Sequence, residues 1–167
     1  MMLAVFVTIW VAVLLFVAGE SGRTFSPRGA KPPVWAWACF FVGCLIAIVH
    51  TVLAFAIVHH WNHADAVRDT ARLTLEMHGV DFGAALYMNY VFLAVWLADA
   101  IWWAAAPPRY VRPAAVTWSL RGFYMLYLFN ALVVFAHEWR RIVGLVLISW
   151  LARIWAPGVL QSRPLRP

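Results

Sequence analysis

The chain has 167 residues, of which 65% are hydrophobic and only 12% charged, with a formal net charge of +6. A water-soluble domain carries roughly a quarter charged residues, and a single domain of this length has too little interior to hide so much apolar surface. The composition therefore excludes an ordinary soluble domain and predicts one all-α domain, a polytopic membrane helix bundle over residues 1–160, with residues 161–167 as a disordered tail. The basic excess lies between apolar runs and in the tail, where it sets topology beside anionic lipid. Nucleic acid is not expected as a partner. Twelve of the thirteen basic residues are arginine, with Lys31 the exception, and Ala and Pro are frequent, as in proteins of GC-rich bacteria.

The first apolar run, residues 2–18, has no preceding positive charge and no small-residue cleavage site after it. It reads as a span rather than a cleavable signal. A polar loop with Glu20, Arg23, Arg28 and Lys31 follows, over residues 19–33. The second span is expected over residues 34–58, interrupted by His50 and Thr51. Cys39 and Cys44 both lie in it, five residues apart, on different faces of a helix and unable to bridge each other.

Residues 59–83 carry most of the acids, Asp65, Asp69, Glu76 and Asp81. Asn62 is placed to cap a short amphipathic helix, and Gly79 to end it. Asp65–Arg68, Asp69–Arg72 and Arg72–Glu76 stand at helical pair spacing. Val67, Ala71, Leu75 and His78 share the face expected to lie on the membrane surface. A third span follows over residues 83–106, ended by Pro107 and Pro108. A short basic loop with Arg109 and Arg112 leads to a fourth, residues 116–136. The last apolar run, residues 142–160, is broken by Arg153 and Pro157 and is read as a fifth span. The alternative is a helix lying in the interface.

Arginine counts set the expected orientation. Side A, carrying the 1–2 and 3–4 loops, holds Arg23, Arg28, Lys31, Arg109 and Arg112, and the 2–3 segment on side B holds only Arg68 and Arg72. With five spans the balance is seven basic residues to four. With four spans side B would carry the excess. The positive-inside rule then places side A in the cytoplasm of a bacterium and the N-terminus outside the inner membrane. Trp35, Trp37, Trp102, Trp103 and Trp118 fall near side A, and Trp61 and Trp139 near side B, as an aromatic belt would.

Ionisable groups within spans are rare and usually paired. Asp99 and Arg121 lie about seven and about five residues in from the same end of consecutive spans, which predicts a buried ion pair locking spans 3 and 4. A proton relay would need a series of acids across the membrane, and Asp99 stands alone. Asn89 and Asn130 are expected to hydrogen-bond between helices, with His50 at the depth of Asn130. The six histidines, His50, His59, His60, His63, His78 and His137, all fall toward side B. Haem b between His137 and His59 or His60 is one reading of them, and a metal held by His59, His60, His63 and Asp65 is another. The 13-residue spacing of His50 and His63 resembles the one-helix ligand pairs of dihaem b-type cytochromes. A matching pair on a second helix is missing, and a cap at Asn62 would break the helix between them. His59, His60, His63 and His137 are expected to be interfacial and His50 a hydrogen-bonded bundle residue, with no cofactor expected.

No nucleophile elbow, P-loop or dinucleotide fingerprint occurs, so an enzyme is not the expected reading. The elements WNHADAVRDTA (61–71), DFG…NYVF (81–92) and WLAD (96–99) resemble a group of uncharacterised bacterial multi-pass membrane proteins, a resemblance that implies membrane location and no activity. The expected role is a structural or accessory membrane subunit, with the lipid bilayer and other membrane subunits as partners. A haem- or metal-binding redox protein is the alternative, and a small transporter the third reading.

Overall fold

In the computed structural model, residues 2–26, 31–106, 112–136 and 138–156 are described. They form α1 (Met2–Thr24), α2 (Val34–Ile57), α3 (His63–His78), α4 (Ala85–Ala105), α5 (Ala114–Phe129), a π-helical turn (Asn130–Val134) and α6 (Trp139–Trp155). The fold is all-helical among the described residues, and α1, α2 and α4 are long and apolar enough to cross a membrane. At ~1.5 Å per residue the 24 residues of α2 reach about 36 Å.

Helix α1 is the centre of the bundle. Phe16, fully buried, meets Phe40 of α2 at 5.4 Å, Trp96 of α4 at 5.0 Å and Tyr124 of α5 at 5.1 Å between ring centroids. Offset and edge-on aromatic contacts of this kind add to the area each ring buries. Small residues let α1 and α2 run antiparallel in close contact: a Cβ on Gly19 would lie 2.7 Å from the Phe40 Cβ, and one on Gly43 would lie 3.1 Å from the Ala12 carbonyl. That packing carries α1 past the expected end at residue 18 to Thr24, through Gly19, Ser21 and Gly22, all weak helix formers. Glu20 and Arg23 consequently sit on its last turns rather than in a loop.

Indole groups join α2 to α4. Trp96 Nε1 donates to the Phe40 carbonyl and Trp37 Nε1 to the Ala100 carbonyl, each at 3.0 Å. Helix α6 runs beside α1 in the same direction. Trp139 meets Phe6 at 6.2 Å and stacks on Trp10 at 6.0 Å in the first half of α1, and Trp155 Nε1 reaches Glu20 near its end. Gly144 lies against the backbone of Leu132, which lets α6 close on the π-helical turn. The connection into α6 has no glycine, proline or asparagine. Glu138 makes it with a φ of 53°, and Arg141 Nε donates to the carbonyls of Val133 at 2.9 Å and Ala136 at 3.2 Å. An arginine side chain thus satisfies carbonyl groups that the helix end would leave unpaired.

Helix α3 begins and ends at the expected residues. Asn62 Oδ1 accepts from the Ala64 and Asp65 amides, and Gly79 turns the chain at a φ of 70°. The three ion pairs form, Arg68–Asp65, Arg72–Asp69 at 3.9 Å and Arg72–Glu76 at 3.1 Å. Ala66 and Thr74 face inward and are buried, while Leu75 and His78, on the face expected to lie on the membrane surface, are exposed. The turn into α4 holds the inward face in place. Thr74 Oγ1 accepts from the Phe82 amide at 3.1 Å, and Gly83 packs against Val67.

Candidate functional site

One end of the bundle, formed by the C-termini of α1, α4 and α6 and the N-termini of α2 and α5, holds a buried network of ions. Asp99 on α4 has a side chain only 1% exposed and is gripped from several sides. Arg23 donates to it twice, Nη1 to Oδ2 and Nη2 to Oδ1, each at 3.1 Å. Arg112, two residues before α5, donates to Oδ1, and the Tyr124 hydroxyl donates to Oδ2 at 3.2 Å. Glu20, side chain 3% exposed, accepts from Arg23 at 2.9 Å and from the indole of Trp155 at 3.2 Å. The network therefore draws on α1, α4, α5, α6 and the segment leading into α5.

Asp99 and Arg121 do not form the expected pair. Arg121 donates to Thr24 Oγ1 at 3.3 Å, and its guanidinium lies 5.5 Å from the ring centres of both Trp118 and Trp155. The reason is the extension of α1. Once Arg23 lies on a helix it points into the bundle and takes the bidentate position on Asp99, and Arg121 turns instead to Thr24. The signal for this was present in the sequence as Glu20 and Arg23, an i,i+3 pair beside the first apolar run. Trp103, expected in an interfacial belt, is instead buried, with Arg23 4.6 Å over its ring.

A carboxylate offers about four acceptor positions. The four donor contacts on Asp99 fill them, so its chemistry is that of an anchor for cations rather than of a base with a free lone pair. Pulling a fixed carboxylate and two guanidinium groups out of water is costly, and only close, multiply bonded geometry offsets it. This geometry makes the network a clamp.

The histidines at the opposite end have separate surroundings. His50 Nδ1 lies 2.9 Å from the Val5 carbonyl and 3.3 Å from Thr8 Oγ1, a bond between α2 and α1. His59 Nδ1 lies 3.5 Å from Asp69 but is buried with no hydrogen-bond partner among the described residues. His60 is exposed in the turn between α2 and α3, with a φ of 47°. His63 stacks on Phe55 at 5.9 Å and meets Tyr87 at 5.7 Å. His137 lies outside the described residues, and the ligand pairs that would include it lie there with it. Among the described residues no three histidine, cysteine, aspartate or glutamate side chains gather as a metal set.

Asn89 does bond between helices, accepting the Tyr127 hydroxyl at 2.8 Å. Asn130 does not: its amide donates at 2.8 Å to the Leu126 carbonyl one turn back, and His50 is not its partner. The site and fold together define a class, the all-helical bundle with membrane-compatible helices tied at one end by a buried ion network. No protein-family model matches the chain, and no curated protein or solved structure does.

Proposed function

We propose that the protein is a structural or accessory subunit of the bacterial inner membrane, where it acts as a rigid multi-pass scaffold for other membrane subunits. The observation that carries this reading is the saturation of Asp99. This buried acid is held by two arginines and a tyrosine, a use that ties helices together and leaves no acceptor on it for a moving proton or ion. The separate surroundings of His50, His59 and His63 favour the same reading over a redox role. The resemblance to bacterial multi-pass proteins belongs with it.

We further infer five spans, with the N-terminus outside and the loops between α1 and α2 and between α4 and α5 in the cytoplasm. Support comes from the arginine balance and from α6, whose contacts run from Trp10 to Glu20 along α1. An interfacial helix would touch only one end of its neighbour. The π-helical turn continues α5 to residue 134, which makes that element long enough to cross.

The test of the role is purification in mild detergent from cells able to supply haem and metals. The expected protein is colourless, free of stoichiometric metal, migrates in native gels with a defined membrane complex and moves no solute when reconstituted alone. A Soret band that sharpens on reduction would replace this reading with the haem one. Solute uptake by the protein alone in liposomes would replace it with a transporter.

A further inference from the structure

The half of the bundle away from the ion network contains a cavity of about 380 Å³ between the end of α3, the start of α4 and the end of α5. Its volume falls in the ~300–1,000 Å³ range of small-molecule sites, and its lining is mostly apolar with a few polar groups. Phe82, Phe123, Tyr127 and Phe135 supply aromatic walls. The polar groups are incompletely used. One end of the Asn89 amide bonds Tyr127, and its other end has no partner among the described residues. Asn130 spends its amide nitrogen on Leu126, and its side-chain oxygen has no partner among the described residues. The His78 ring rests on Phe135 at 5.5 Å.

Two further features say what kind of molecule fits. The wall at Asn130 and Ala131 is the π-helical turn, a widening that is uncommon in helices and concentrated at functional sites. The cavity also has an outward side: Leu126 and Met88, 62% and 42% exposed, line it on the faces of α5 and α4 turned away from the core. A ligand there can keep its head between the aromatic rings and pass an apolar tail into lipid.

We propose that this cavity binds a membrane-soluble quinone or its quinol. A flat ring stacks between aromatic walls. A ring carbonyl accepts from the free end of the Asn89 amide, and a quinol hydroxyl donates to the free oxygen of Asn130. An isoprenoid tail leaves past Leu126 and Met88. A simple acyl chain would use the apolar lining but neither asparagine. The inference goes beyond the scaffold role and stands independently of it, because binding is read without reference to any partner complex.

The experiment uses the full chain in nanodiscs of neutral phospholipid and a benzoquinone with a decyl tail as the probe, with binding followed by quenching of tryptophan fluorescence. Saturable quenching above that of tryptophan octyl ester in protein-free nanodiscs is expected. Asn89→Leu should weaken it about tenfold, the loss of roughly one hydrogen bond. Ala131→Trp, which fills the cavity from an exposed position, should abolish it without changing the thermal midpoint. Palmitate should compete at least about tenfold more weakly than the quinone. Quenching that does not saturate, binding unchanged in Ala131→Trp, or palmitate competing as well as the quinone would each overturn the proposal, the last by making the cavity an acyl-chain groove.

Discussion

Replacing Asp99 with asparagine is expected to destabilise the protein by about 3–5 kcal/mol, the cost of removing one partner from a buried ion pair. The size follows from the surroundings. The Asp99 side chain is 1% exposed, and Arg23 and Arg112, 18% and 11% exposed, both point at it. An asparagine keeps the shape and one acceptor but removes the charge, so two guanidinium groups stay in the bundle with only Glu20 to balance them. The midpoint of thermal unfolding in detergent should fall on the order of 10 °C. In a Cys39→Ala background Cys44, fully buried, offers a readout, because a thiol-reactive dye reaches it only when the bundle opens. Arg23→Met should be nearly as damaging, whereas Arg121→Met should cost much less, since Arg121 donates to a hydroxyl and not to Asp99. The reverse ranking of the two arginine variants would restore the Asp99–Arg121 pairing and contradict the network.

The second large effect is expected at Gly19. A leucine there would place its Cβ 2.7 Å from the Phe40 Cβ and 2.9 Å from the Ala36 carbonyl oxygen and the Phe40 amide nitrogen. Backbone atoms of a neighbouring helix cannot rotate aside, so α1 and α2 must separate. Overpacking of a filled interior costs about 1–3 kcal/mol. Gly19→Leu should exceed the upper end because separating α1 from α2 also draws Glu20 and Arg23 away from Trp155 and Asp99. Gly122, with open space around the position of an added Cβ, is the control, and Gly122→Leu should leave the melting midpoint within a degree or two. Equal midpoints for the two variants would show that the close approach at Gly19 carries no weight.

The legible part of this fold was what composition and periodicity control. The apolar runs that become α2 and α4 are bounded within about two residues of the expected ends, because a long hydrophobic helix is specified by its own side chains. Asn62 and Gly79 were equally clear, since capping is a local affair of one side chain or one positive φ. The end of α1 was hidden because Gly19, Ser21 and Gly22 look like loop residues on their own. They are helical here because a partner helix presses on them. The network depends on that end: with residue 18 as the boundary, Arg23 and Glu20 are loop charges, and Arg121 on the next span is the partner expected for Asp99. The turn before α6 was hidden for a related reason, its left-handed residue being Glu138 and its carbonyl partner Arg141. Asn130 bonds back to its own preceding turn, as an asparagine on a helix can, and depth alone does not distinguish that from a bond to a neighbour.

The measurement that tests the bundle most directly is the side from which α6 ends. In a background with Cys39→Ala and Cys44→Ala, single cysteines at Lys31, Arg68 and Ala156 report on the entry to α2, the exposed face of α3 and the end of α6. In sealed, oriented vesicles a membrane-impermeant maleimide is expected to label Lys31→Cys and Ala156→Cys from the same side, and Arg68→Cys from the other. Labelling of Ala156→Cys together with Arg68→Cys would mean that α6 does not cross, and would contradict the five-span bundle.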